Sequence, residues 1–336
     1  MLGTRCYSKY HSLKREDATS ERPDHPLSGV LCRMSVLLFR ERLHREVLVL
    51  DGGMGTGLQA RGLPRGYPPD LWSVERPAEV RRLHEAHVEA GADIILTNTF
   101  GASRLRLDPY GWGDRVPELN RVAVGLARAA AQGRALVAGD IGPCAPGGES
   151  FRQVLRERAI SVFAEQIEAL ASAGVDLLDI ETISDLEEME AAVSAARAAA
   201  PKLPILATVT FSREGILRSG QRPAEAAQAL EGMGVDILGA NCTFGFPSLL
   251  PICEEMAGAT ARPIAMKPNA GVPPESPSSA EEAAAYARRF VEAGAGLVGG
   301  CCGVDPVMLR TIALAVKGMA PVRRSSVVSS PTHACG

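Results

Sequence analysis

Residues 77–99, PAEVRRLHEAHVEAGADIILTNT, read as one structural unit. Pro77 to Gly91 carries the amphipathic, Glu- and Arg-rich pattern of a helix, and Gly91 stands where a left-handed cap turns the chain back. Ala92 to Thr99 is a short β-rich apolar run that ends in polar residues. The same alternation extends outward in both directions. Upstream lies VLVLDGG (Val47–Gly53). Downstream lie ALVAGDIGP (Ala135–Pro143), DLLDIET (Asp176–Thr182), ILATVTF (Ile205–Phe211), DILGANC (Asp236–Cys242), PIAMKPNAG (Pro263–Gly271) and AGLVGGCC (Ala295–Cys302). Each is followed by a helical pattern, such as AISVFAEQIEALASAG and SAEEAAAYARRFVEAG, and Gly174, Gly234 and Gly294 repeat the capping role of Gly91. Eight such units, of about 30–40 residues each, are the arithmetic of a single-domain TIM (β/α)8 barrel.

A doubly wound sheet is the competing architecture, and the glycines of GGMGTGLQ suggest its phosphate loop. They do not form G-x-G-x-x-G, and no acidic residue closes the next strand as a ribose ligand.

The domain expectation is a barrel over residues 45–319 between two loose tails. Residues 1–44 mix basic, acidic and polar residues without a sustained period; they read as a disordered tail or as a start assigned too early, with Met34 as the alternative start. Residues 320–336 are Ser-rich and read as a C-terminal tail.

Of the 336 residues, 46% are hydrophobic and 22% charged, with a net charge of -3. No apolar run approaches the ~20 residues of a membrane span, and no basic stripe exists to neutralise phosphates. Membrane and nucleic-acid partners are therefore excluded from the expectation. Eight cysteines in a chain of this length do not make a disulfide scaffold, which favours a reducing, cytoplasmic setting.

Barrel active sites are assembled at the C-terminal ends of the strands, and here those ends carry Asp51, Thr97, Asn98, Asp140, Glu181, Asn241, Cys242, Asn269, Cys301 and Cys302. Asp140 alone reads equally as a loop or helix-capping residue. Successive strand side chains face opposite ways, so Cys301 and Cys302 can share an ion only where the chain leaves the pleat. Gly299, Gly300 and Gly303 give the backbone that freedom. Cys242, from a neighbouring strand end, supplies a third thiolate. Three soft ligands with no fourth describe a catalytic Zn²⁺ with an open position. Competing readings are a small buried apolar role for Cys242 and a redox pair at Cys301 and Cys302. Cys253 reads as helix packing, Cys144 as a residue facing the site without a role, and His84 and His87 as surface or packing residues.

ANC at Ala240–Cys242, GGCCG at Gly299–Gly303 and LDGGMGT at Leu50–Thr56 resemble the signatures of the homocysteine S-methyltransferase family. The resemblance covers about Val47 to Val316. ILTNTFGASR, GDIGP and PNAG are most similar to the homocysteine module of cobalamin-dependent methionine synthase, whereas DLWS at Asp70–Ser73 is closer to members that use S-methylmethionine. The resemblance implies one Zn²⁺ held by Cys242, Cys301 and Cys302, with the homocysteine thiol as fourth ligand. It implies that Asp51 and Glu181 hold the substrate ammonium and that backbone N–H groups from Gly52 and Gly53 to Thr56 meet its carboxylate. Asn98 and Asn269 are supporting substrate contacts; Asn269 also reads as a turn residue. The chain has no room for folate and corrinoid domains, so methylcobalamin would be supplied in trans by a separate corrinoid protein. S-methylmethionine or betaine is the alternative donor, to which Tyr67, Trp72, Tyr110 and Trp112 offer aromatic faces. The expected product is methionine. A vicinal-dithiol redox protein and a non-catalytic zinc barrel subunit are the readings from other classes.

Overall fold

The computed structural model describes residues 39–145, 151, 154–271 and 277–322. Eight parallel strands form one sheet: β1 (Leu48–Val49), β2 (Ile94–Leu96), β3 (Leu136–Ile141), β4 (Leu177–Ile183), β5 (Ile205–Val209), β6 (Ile237–Gly245), β7 (Ile264–Asn269) and β8 (Ala295–Val298). Their order is β1-β8-β7-β6-β5-β4-β3-β2, and a parallel bridge between Leu50 and Ile94 closes β1 onto β2. This is the expected TIM barrel. No described helix is long and apolar enough to cross a membrane.

The two-residue period of the strands sorts the core into two layers. Leu48, Leu50, Ile94, Leu96, Ala138, Leu177, Leu206, Ile237, Ala265 and Leu297 pack inside the barrel. The alternate residues Val49, Ile95, Val137, Leu178, Ile205, Leu238, Ile264 and Val298 pack outward against the helices. Continuing the inward phase along β4 and β7 brings Asp179, Glu181, Lys267 and Asn269 above the apolar layer, all buried. The barrel interior therefore changes from hydrocarbon at one end to charge at the other.

Helices fill the connections, among them Pro77–Ala90, Val116–Ala131, Arg156–Ala173, Leu186–Ala199, Pro223–Gly232, Phe246–Ala259, Ala280–Glu292 and Pro306–Val316. Gly91 (φ 107°) and Gly174 (φ 89°) are left-handed caps as expected.

Two boundaries differ from the sequence reading. Most strands are shorter than the apolar runs, although β4 runs on to Ile183 and β6 to Gly245; β8 stops at Val298, so Cys301 and Cys302 lie in the turn beyond it. The loose tail expected over residues 1–44 does not extend through residue 44, because residues 39–45 are helical. Phe39 and Leu43 are buried against the inner apolar layer, and Arg42 reaches Asp93 at 2.5 Å and Arg40 reaches Asp236 at 3.2 Å. This segment plugs the floor of the barrel, where the inner hydrocarbon would otherwise meet water; burying a side chain such as Phe39 is worth about 2–3 kcal/mol. The Met34 alternative and most of 320–336 lie outside the described residues.

Candidate metal centre and substrate cavity

The turn after β8 is fixed by main-chain bonds to both neighbouring strands. Gly300 N–H donates to the Asp51 carbonyl (3.0 Å), Cys301 N–H to that of Pro268 (2.8 Å), and the Cys302 carbonyl accepts from Ala270 N–H (2.9 Å). A Cβ on Gly300 would stand 2.3 Å from the Val304 side chain, and Gly303 has φ 82°, so neither position admits an ordinary residue without strain. Thr56 Oγ1 accepts from Gly303 N–H at 3.0 Å.

Cys242 is delivered by a break in β6, whose register with β7 shifts between Asn241 and Gly245. Its φ is 54°, and Thr182 across the rim has φ 61°. Such left-handed geometry costs a β-branched residue on the order of 1–3 kcal/mol and needs a surrounding that enforces it. Asn241 provides it: its amide donates to Thr182 Oγ1 (2.8 Å) and Glu181 Oε2 (3.1 Å), and its Oδ1 accepts from Thr182 N–H (3.0 Å). Asn269 holds the other side, donating to the Cys242 carbonyl at 3.1 Å.

The result is one cluster of three thiols, with the Sγ atoms of Cys242, Cys301 and Cys302 all within 4.8 Å of one another. Cys242 Sγ and Cys302 Sγ are 3.7 Å apart. Zn–S bonds of about 2.3 Å in tetrahedral array place sulfurs about 3.8 Å apart, whereas a disulfide needs about 2.05 Å. Charge argues the same way. Hydrogen bonds from Cys242 and Cys301 pull the Cys302 thiol down to about 3. Cys242 goes up to about 12: its bond with Cys301 opposes the rise, but the bond with Cys302, burial and nearby negative charge outweigh it. Cys301 is raised by its bonds to both partners and by burial. Three buried thiols this close oppose one another's ionisation, and a dication is what lets all three ionise together. The donor set fits zinc.

Beside the thiols lies a cavity of about 400 Å³, lined by Asp51, Gly52, Gly53, Thr56, Asn98, Asp140, Glu181 and the three cysteines, with Tyr67, Asp70, Phe100, Arg106 and Tyr110 also in its wall. A second concavity near Ser212, Arg222 and Glu255 lies away from this ring. Asp51 Oδ2 accepts from Leu96 N–H at 2.9 Å. Glu181 Oε2 accepts from Lys267 Nζ at 2.6 Å, and Lys267 also reaches Asp179 Oδ2 at 2.5 Å. Burial raises the carboxyl pKa of Asp51 and, with neighbouring carboxylates, that of Asp140; it takes Asp179 to about 6 against the opposing pull of Lys267.

Several expectations are adjusted by this geometry. Asn269 is absent from the cavity wall and supports Cys242 instead. Asn98 lines the cavity, but its amide nitrogen is spent on Pro69 O (2.7 Å) and Ser73 Oγ (3.0 Å). Gly53 N–H is spent on Val304 O, whereas Gly52 lines the cavity and the first-turn amides of the helix Met54–Gln59 lack intrahelical acceptors. His84 and His87 are completely buried, which removes the surface reading; His87 Nδ1 stands 3.7 Å from Asp51 Oδ2. Cys144 does not face the cavity but packs in the outer core, its N–H on Glu188 Oε1. Cys253 packs at the helix interface near Phe290, as expected. Trp72 is buried in an apolar cluster and Trp112 carries Arg115 over its ring at 3.9 Å, while Tyr67 and Tyr110 meet edge to face on the cavity wall. Sequence reading missed Asp179 and Lys267. The signal was present: a lysine inside the apolar run PIAMKPNAG, and an aspartate two residues before Glu181 and hence on the same strand face.

Fold and site define a barrel that gathers three thiols and a group of buried carboxylates around one cavity at the C-terminal rim. A family model described as homocysteine S-methyltransferase matches residues 48–316. The methionine synthase of Mycobacterium tuberculosis is 32% identical over 300 residues, covering 82% of this chain and 25% of that protein; that of Mycobacterium leprae is 31% identical with the same coverage. This chain thus spans about a quarter of the length of those relatives. Among solved structures, the metallated form of the Escherichia coli homocysteine methyltransferase MmuM superimposes with a TM-score of 0.68 at 26% identity, covering 83% of this chain and 99% of that one. Its oxidised form gives 0.69 at 28%, covering 84% and 98%. The chain belongs to the homocysteine S-methyltransferase family.

Proposed function

We propose that this protein methylates the sulfur of homocysteine to give methionine, using Zn²⁺ held by Cys242, Cys301 and Cys302. The observation that carries this reading is the approach of three thiols to within 4.8 Å of one another on the wall of a cavity that also presents Asp51 and Glu181. Zinc bound there makes a coordinating thiol a thiolate at neutral pH. Asp51 and Glu181 orient the substrate through its ammonium, and the amides at Met54 to Thr56 receive its carboxylate. The thiol proton leaves to solvent. The sulfur lone pair forms the new S–C bond while the donor–methyl bond breaks, its electron pair staying with the donor. Asn241, Asn269 and Thr56 hold the cysteines in place.

For the donor, the reading is methylcobalamin supplied in trans by a separate corrinoid protein and recharged from methyltetrahydrofolate. It is supported by the methionine synthase relatives, of which this chain corresponds to one segment. A second reading, a small cationic donor such as S-methylmethionine or betaine, is favoured by Tyr67 and Tyr110 on the cavity wall, whose faces attract cations. We place the catalytic unit within residues 39–319 and the protein in the cytoplasm, where its thiols stay reduced.

Zinc determination paired with methionine formation from homocysteine and each donor, in separate reactions, tests the proposal. It expects about one zinc per chain, as three protein ligands with an open position require, and turnover with one donor. Zinc without turnover on any donor supports the non-catalytic subunit. Absence of zinc from protein kept reduced, with a reversible Cys301–Cys302 disulfide, supports the redox reading.

A further inference from the structure

Asp140 in β3 is held by its main chain and keeps an unpartnered carboxyl oxygen. Its N–H donates to Thr97 Oγ1 (3.0 Å), and its carbonyl accepts from Thr99 Oγ1 (2.7 Å) and Gln166 Nε2 (3.4 Å). Thr97 and Thr99 are themselves joined at 2.6 Å. Five per cent of the residue is exposed, it lines the same cavity as the cysteines, and its Oδ1 is buried without a hydrogen-bond partner. Buried polar atoms are ordinarily satisfied, and an exception asks for an explanation.

Each neighbouring carboxylate already takes a donor on one oxygen. Glu181 Oε2 takes donors from both Lys267 and Asn241, and Asp51 Oδ2 takes the Leu96 amide. The groups acting on Asp140 are the carboxyls of Glu181, Asp179 and Asp51 and the ammonium of Lys267, so four carboxyls here share a single ammonium. A ligand that brings a cationic hydrogen-bond donor satisfies both the free oxygen and the charge imbalance.

We propose that Asp140 joins Asp51 and Glu181 as a partner of the substrate's ammonium, and that it helps restrict this cavity to thiols bearing an amino group. The proposal rests on the reading of homocysteine as acceptor and deepens it. An acceptor without the amino group leaves Asp140 buried and unpaired, which is the arrangement that gives polar sites their strongest discrimination.

The test measures binding of L-homocysteine and of 4-sulfanylbutanoate, which is homocysteine without its amino group, to zinc-loaded protein by calorimetry. The wild type is expected to prefer homocysteine by at least about 100-fold. Asp140→Asn is expected to weaken homocysteine by about tenfold or more, to leave 4-sulfanylbutanoate within about threefold, and to leave zinc content unchanged. Asp140→Glu, which keeps the charge, should retain part of the preference that Asp140→Asn and Asp140→Ser lose, and this pair serves if the Asn variant does not fold. An unchanged preference in Asp140→Asn, or equal weakening of both thiols, overturns the assignment while leaving homocysteine as the acceptor. A wild type that binds neither thiol overturns the acceptor reading and this inference together.

Discussion

The ammonium of Lys267 lies 2.6 Å from the carboxylate of Glu181 inside the barrel, with Asp179 completing the group at 2.5 Å. Glu181 thus both lines the cavity and forms one arm of a buried network. Removing a single partner from such a network costs about 3–5 kcal/mol, since it strands the others without solvent. Lys267→Met should lower stability in urea by that amount, and adding Asp179→Asn should recover part of it. A loss below about 1 kcal/mol for Lys267→Met would show that the network does not behave as a buried ion pair.

Alanine at Cys242, Cys301 or Cys302 should abolish zinc retention and methyl transfer while leaving the circular dichroism of a folded barrel. Cys253→Ala, in the outer core, should keep its zinc. Full activity in any of the three ligand variants would remove the site assignment.

Glu181→Gln keeps the shape of the side chain and removes its charge. Homocysteine affinity should fall by about tenfold or more, with zinc affinity much less affected. Equal loss of both would assign Glu181 to the architecture, through Asn241 and Thr182, and not to the substrate.

Burial holds the pKa values of the His84 and His87 imidazoles down to about 3, with His87 adding to the effect on His84 and Arg61 to that on His87. Between about pH 6.5 and 3 the unfolded chain takes protons that the folded chain refuses, so each imidazole makes stability fall on acidification, by up to about 1.4 kcal/mol per pH unit. Asp179, raised to about 6 by burial, acts with the opposite sign between about pH 4 and 6. The comparison that isolates the histidines is His84→Leu against wild type: urea midpoints measured from pH 7 to 5 should fall less steeply in the variant. Identical slopes would mean that His84 is not a buried neutral group.

The floor of the barrel yields a truncation experiment. A chain beginning at residue 45 loses Phe39 and Leu43 from the inner layer and should be less stable than one beginning at residue 38 by at least about 3 kcal/mol. Zinc binding at the opposite end should survive wherever the protein stays folded. Equal stability of the two chains would return the segment to the status of a tail.

The sequence determined the architecture and most of the rim. Alternating runs such as Pro77–Thr99 specify the β/α unit because helix and strand periods are local properties, and residues at the ends of successive runs meet at one rim by topology alone. The glycines around Cys301 and Cys302 signalled a departure from the pleat for the same local reason. What required the tertiary structure was every relation that depends on which face an inward residue shares with a distant strand. Lys267 and Asp179 are 88 residues apart and meet only because β4 and β7 face one another across the barrel. Asn269, at a strand end like the cysteines, turns out to brace Cys242, and Phe39, in a stretch without periodic pattern, is held by the hydrocarbon surface that the closed barrel exposes at its floor. The register break that aims Cys242 and the free carboxyl of Asp140 belong to the same class. Both arise from packing and hydrogen bonds made after the strands have closed, and nothing in the local chain encodes them.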